Sequence, residues 1–184
     1  MQRCFSYVLF AAIGSAGCKS APQAPAEALK ASAELSAPMA AGATIEARSG
    51  ATLAGEATFT EADGGTKIVV SVRNAPPGPH AVHIHEIGDC SDPDAKSAGS
   101  HFNPDGHAHG GPTDAQHHAG DFGNMEVGAD GTGTLEIVSS GLTVADGPRS
   151  VAGRAIIVHA KPDDFVTQPT GNAGGRIGCG KIVR

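Results

Sequence analysis

From Thr44 onward, apolar and β-branched residues come in eight short runs, and no stretch among them keeps the three-to-four-residue spacing of an amphipathic helix. The runs are 44–48, 53–61, 66–73, 81–87, 123–127, 132–138, 154–159 and 176–183, rich in Val, Ile, Thr and Phe. Turn residues punctuate them at Ser49-Gly50, Asp63-Gly64-Gly65, Pro76-Pro77-Gly78-Pro79 and Asp130-Gly131, the last a hairpin signal. Strands without helices must bury one face against each other, so the expected fold is all-β: an eight-stranded antiparallel Greek-key barrel or sandwich. Two long loops interrupt it, after the fourth run and after the seventh, and loops of that length in a compact domain are usually functional.

The fourth run carries His83-Ile84-His85. Side chains two apart share a strand face, so Val82 and Ile84 can be buried while both imidazoles project together from the other side. His101, His107, His109, His117, His118 and Asp121 follow in Gly- and Pro-rich sequence, and His159 ends the seventh run. Eight of the nine histidines lie between His80 and His118, a density that points to metal ligation rather than to a solvated polar tract. Composition narrows the chemistry further. The net charge of −6 excludes a nucleic-acid partner, which needs a basic face. With no Trp, and Tyr7 as the single tyrosine, a chain that loses its N-terminus has no aromatic stacking platform and no tyrosyl chemistry.

Residues 1–17 read as an export signal, with Arg3 as the basic end and 7–13 as an apolar core too short to span a bilayer. Ser15-Ala16-Gly17-Cys18 is similar to a bacterial lipobox, in which Cys18 becomes the acylated residue; Ser15 departs from the usual Leu-like residue, and ordinary secretion is the other outcome. Cleavage there takes away Arg3 and leaves a charge of −7. Residues 18–43, mostly Ala, Pro, Ser, Gln and Glu, cannot offset the entropy of ordering, and the expectation is a flexible tether holding the domain 44–184 off a membrane. The expected location is exported, periplasmic or in the cell envelope, with membrane contact only through the lipid. Cys4 leaves with the signal, so Cys90 and Cys179 remain; in an oxidising compartment they most simply form one disulfide, with thiolate ligation of a metal as the competing reading.

Five ordered blocks together resemble the copper/zinc superoxide dismutase family: 83–89 (HIHEIGD), 99–104 (GSHFNP), 109–112 (HGGP), 118–124 (HAGDFGN) and 171–176 (GNAGGR). The likeness extends from Thr44 to Ile182. It implies a copper site of His83, His85, His101 and His159 and a zinc site of His101, His109, His118 and Asp121, with His101 shared. Asp163 matches the carboxylate that hydrogen-bonds one histidine of each site, and Arg176 matches the guanidinium beside the open copper position. The implied reaction is disproportionation of superoxide to dioxygen and hydrogen peroxide by a redox-cycling copper next to a structural zinc, with His101 supplying a proton.

His80 has the opposite strand parity to His83 and His85 and reads as a structural hydrogen-bonding residue. His107 and His117 neighbour His109 and His118, but the Gly-Gly-Pro and Ala-Gly-Asp that follow the latter select those. A second reading is a non-catalytic exported copper/zinc storage or delivery module. Such a protein is expected to lack a copper ligand or the arginine, and this chain keeps them all. The segment 165–170 is shorter than in eukaryotic members and lacks their paired glutamates, and Cys90 directly follows Gly88-Asp89. Arg184 is not followed by the apolar tail by which some eukaryotic relatives dimerise, which leaves the oligomeric state open.

Overall fold

The computed structural model describes residues 38–184. The expected export signal, the expected lipid site Cys18 and the expected tether as far as residue 37 lie outside the described residues. Eight strands follow: β1 (Ala40–Ala47), β2 (Ala54–Ala62), β3 (Gly65–Arg73), β4 (Gly78–His85), β5 (Asp121–Val127), β6 (Gly133–Ser139), β7 (Ala155–His159) and β8 (Arg176–Lys181). They close into a barrel in the order β1-β2-β3-β6-β5-β4-β7-β8, with β8 returning to β1 and every pairing antiparallel. The jump from β3 to β6 is the Greek-key step expected for strands that do not all pair with their sequence neighbours. Closure also removes the unpaired edges at which an open sheet would aggregate.

The largest boundary differences are at β4, which begins at Gly78 inside the expected turn 76–79 and pairs Gly78 and Pro79 with Val127 and Glu126, and at β1. β1 starts at Ala40, so residues 40–43 belong to the barrel and not to the tether. These residues are small, and composition alone gave them nothing to bury. Their partners are remote: Ala41 lies opposite Phe59, Ala43 opposite Ala57, and Gly42 exchanges main-chain hydrogen bonds with Val183 at 2.8 and 2.9 Å. Alternation then turns Ala41 and Ala43 inward, each less than a tenth exposed.

The barrel interior is filled by Ile45, Phe59, Ile68, Val70, Val82, Ile84, Met125, Ile156 and Val158 among others, alternating along their strands as a half-buried sheet requires. β4 and β7 break the simple alternation because both of their faces are covered. Val82, Ile84, Ile156 and Val158 point into the core, while His83, His85, Ala155 and Ile157 are also fully buried on the outside. The cover over β4 is the loop 86–120, which folds back on the strand. Glu86 donates its N–H to Ser100 O, Phe102 to Ile84 O, and Ile84 to Gly120 O, all at 2.8–2.9 Å.

Cys90 and Cys179 form a disulfide with Cα atoms 5.8 Å apart, tying this loop to β8. Neither sulfur is therefore a thiolate ligand. The bond is packed with Ala95, Ala98, Ala155 and Ile157 in a small apolar cluster outside the barrel. Arg48 adds to it by donating Nε–H to Cys90 O at 2.9 Å.

Candidate metal centre

β4 delivers His83 and His85 side by side, β7 ends on His159, and the two loops bring the rest. His83, His85, His101 and His159 place one side-chain nitrogen each within 4.8 Å of one another, all buried; His101, His109, His118 and Asp121 form a second set on the same criterion. His101 belongs to both. His80, by contrast, faces main-chain oxygens, with Nδ1 2.8 Å from His159 O and Nε2 2.8 Å from Pro76 O. His107 is exposed and His117 half-buried, and both lie outside the two sets.

In the first set one ring nitrogen of each histidine is tied to the protein and the other is left over. His85 Nδ1 lies 2.9 Å from Gly99 O, His83 Nε2 lies 2.7 Å from Asp163 Oδ2, and His159 Nδ1 lies 3.4 Å from Gly174 O. Those acceptors take the ring N–H, so the opposite nitrogen carries the lone pair. The atoms left without any hydrogen-bond partner are His83 Nδ1, His85 Nε2, His101 Nε2 and His159 Nε2, one from each member. Buried polar atoms are nearly always satisfied, and four convergent orphan lone pairs fit a cation that prefers nitrogen ligands, as copper does.

The second set fits a tetrahedral ion. His101 Nδ1 lies 2.9 Å from Asp121 Oδ1, His109 Nδ1 lies 3.0 Å from Asp121 Oδ2, and His118 Nδ1 lies 3.3 Å from Oδ1 and 3.4 Å from His101 Nδ1. A tetrahedron with zinc–ligand bonds of about 2.0 Å has edges of about 3.3 Å. As hydrogen bonds alone, three imidazoles would compete for one carboxylate that already accepts the N–H of His118 at 2.8 Å and of Gly110 at 3.3 Å. A shared cation resolves that crowding.

Asp163 lies between the two sets, fully buried, with Oδ2 on His83 and Oδ1 2.9 Å from His109 Nε2. Its own position is fixed by residues that sequence reasoning left without a role. Asn124 Oδ1 accepts the Asp163 N–H at 2.7 Å while Asn124 Nδ2 donates to Asp163 O at 3.0 Å. Gly171 sits at φ +63°, where a Cβ would collide with the Asp163 carboxylate and with His109 Nε2. The blocks containing Asn124 and Gly171 carry the family resemblance, so the signal was present without its cause.

Electrostatics favours neutral, lone-pair-bearing imidazoles. Burial, reinforced by the neighbouring His101, holds His83 and His85 well below the ordinary histidine value, and the Arg176 charge adds to this at His85. His159 is lowered to about 3, by burial first and then by His101. Burial also lowers His118. Asp121 is pushed upward by burial, but the hydrogen bonds from His101 and the His118 N–H outweigh that and keep it below the usual carboxylate range. Every one of these directions disfavours protons where metal ligands need none.

Arg176 opens β8 and makes no salt bridge among the described residues. Its guanidinium donates to Ala95 O at 2.6 Å and Gly99 O at 2.7 Å, so it shares the Gly99 carbonyl with His85. It lines a surface cleft together with Ser100, His101 and His118.

A closed Greek-key barrel with a four-nitrogen set adjoining a three-nitrogen, one-carboxylate set defines a β-barrel metalloprotein built for two ions side by side. The family model described as copper/zinc superoxide dismutase matches residues 53–182. Superoxide dismutase (Cu-Zn) 2 of Brassica juncea is 45% identical over 128 residues, which cover 66% of this chain and 83% of that protein. The crystal structure of the clock protein EA4 is similar with a TM-score of 0.72 and 37% identity, over 79% of this chain and 94% of that one. The chain belongs to the copper/zinc superoxide dismutase family: it is a superoxide dismutase whose cofactors are copper and zinc.

Proposed function

We propose that His83, His85, His101 and His159 hold the copper, that His101, His109, His118 and Asp121 hold the zinc, and that His101 serves both. The observation that carries this reading is the set of four buried, unpartnered ring nitrogens, one from each histidine of the first group. Bound copper supplies the one-electron couple by which two superoxide ions and two protons become dioxygen and hydrogen peroxide, while zinc, which has no redox chemistry, supplies charge and shape.

The chain's residues do the rest. Gly99 O, Asp163 and Gly174 O fix which nitrogen of His85, His83 and His159 carries hydrogen, and so which one is free to bind. His101 offers one nitrogen to each group, so it can carry a proton only by giving up one of its two contacts. That makes it the residue able to hand one proton to the reduced product, with the other coming from solvent. Asp163 couples the two groups through a single carboxylate, and Arg176 holds positive charge at the mouth for an anionic substrate.

His159→Ala is expected to lower copper occupancy and abolish dismutation while zinc stays bound. Elemental analysis beside a dismutase assay checks this. A wild-type protein that takes up zinc alone after copper loading would defeat the reading.

The export signal and Cys18 support an enzyme anchored by lipid in the cell envelope, acting on superoxide outside the cytoplasm. Wild type should then fractionate with membranes, and Cys18→Ala should give unprocessed precursor or soluble protein. A wholly soluble wild type with an unmodified N-terminus beyond residue 18 would rule the anchor out.

A further inference from the structure

Gln168 lies in the uncharged segment 165–170, 59 residues from His109 in sequence and marked by no motif. Its side-chain amide meets both main-chain groups of one zinc-site residue: Oε1 accepts the His109 N–H at 2.8 Å and Nε2 donates to His109 O at 2.8 Å. The polarity is fixed by chemistry, since an N–H can only donate and a carbonyl can only accept. His109 is buried, stands in the irregular loop between β4 and β5, and has no main-chain hydrogen-bond partner among the described residues. Buried main-chain groups must be paired, and Gln168 pairs both.

The segment that presents Gln168 is itself held. Asp164 Oδ1 accepts the N–H groups of Val166 and Thr167 at 3.0 and 2.8 Å, Asp164 Oδ2 accepts the Thr167 hydroxyl at 2.6 Å, and Gly171 N–H reaches Thr167 O at 2.7 Å. At its start, the Phe165 N–H donates to Asp163 Oδ1 at 2.7 Å. The His109 ring is fixed at Nε2 by Asp163, and its backbone is fixed by Gln168. One short loop therefore grips a single histidine from both ends.

We propose that Gln168 is a positioning residue for the zinc site, clamping the His109 backbone so that its imidazole is in place before metal arrives and is slow to leave once metal is bound. The proposal rests on the assignment of zinc to His101, His109, His118 and Asp121. Residues that orient metal ligands typically change metal affinity 10–100-fold when removed, so Gln168→Met, which keeps length and loses both hydrogen bonds, is expected to release zinc to a chelator about ten times faster. Its cobalt(II)-substituted form should show an altered tetrahedral visible spectrum. In the metal-free protein the His109 amide should exchange with deuterium readily in Gln168→Met and remain protected in wild type, while the β3 amides exchange alike in both. Gln168→Glu keeps the acceptor for the His109 N–H but loses the donor to its carbonyl, and should retain that protection.

Wild-type protein that gives no tetrahedral cobalt spectrum overturns the zinc assignment and the clamp with it. A wild-type spectrum, with zinc release and His109 exchange unchanged in Gln168→Met, overturns the clamp alone. A Gln168→Met protein that fails to fold transfers the decision to Gln168→Glu, in which loss of His109 protection equal to that of a free amide overturns it as well.

Discussion

At the scale of single residues, the centre is made of histidines that burial keeps neutral, and this has a consequence for stability in acid. The folded value for His159 is about 3, against 6.5 for an ordinary histidine, and His83 and His85 are shifted in the same direction. Between those two values the unfolded chain binds protons that the folded chain refuses, so unfolding is favoured progressively as pH falls from about 6.5 to about 3, with the full contribution present only above 6.5. Metal-free protein should therefore show a urea midpoint that drops steadily across this window. His159→Gln, which removes one such group, should flatten the drop. A midpoint independent of pH between 7 and about 4 would mean that these imidazoles are not buried as neutral groups when metal is absent.

At the scale of elements, the loop that follows β4 carries three jobs at once. It covers His83 and His85, supplies His101, and offers the Ala95 and Gly99 carbonyls to Arg176. The disulfide ties that loop to β8 across a sequence separation of 89 residues, which in the chain-entropy account stabilises the fold by about 4.6 kcal/mol. Cys179→Ser should accordingly lower Tm by roughly 10 °C, and unreduced protein should show no alkylatable thiol at Cys90 or Cys179. All eight strands were legible in the sequence because each is a short β-branched run between turn residues. β1 was shortened because Ala40 and Ala41 declare nothing until Thr60 and Phe59 lie opposite them. It is the family resemblance that singles out His83, His85, His101, His109, His118, Asp121 and His159 from a stretch that also holds His80, His107 and His117, and the structure draws those seven into two groups. Asn124, Gly171 and Gln168 could not be given roles. An amide that clamps a backbone, or a glycine that leaves room for a carboxylate, has no pattern of its own until the chain that it serves is folded beside it.

For the molecule as a whole, the difficulty is its charge. The chain carries −6 and its substrate is an anion, so the overall field opposes encounter and fast turnover needs a local positive potential at the copper site. The uncharged segment 165–170 supplies none, and Lys96, which lines a cleft beside Arg176, is paired with Asp94 at 2.9 Å. Arg176 is held against backbone carbonyls rather than against a carboxylate, so its charge is not cancelled. Arg176→Ala should lower kcat/KM by roughly ten-fold or more at low salt, and Arg176→Glu further, by reversing the sign. Arg176→Lys should recover part of the rate, since it restores charge without the fork of donors that grips Ala95 and Gly99. Because removing the guanidinium also loosens the loop over His85, a loss of rate alone does not isolate steering. Metal content and salt dependence do. A steering residue leaves copper and zinc occupancy intact, and raising ionic strength slows wild type while drawing the variants towards it. If fully metallated Arg176→Glu keeps wild-type kcat/KM at low salt, the charge at this position does not guide the substrate.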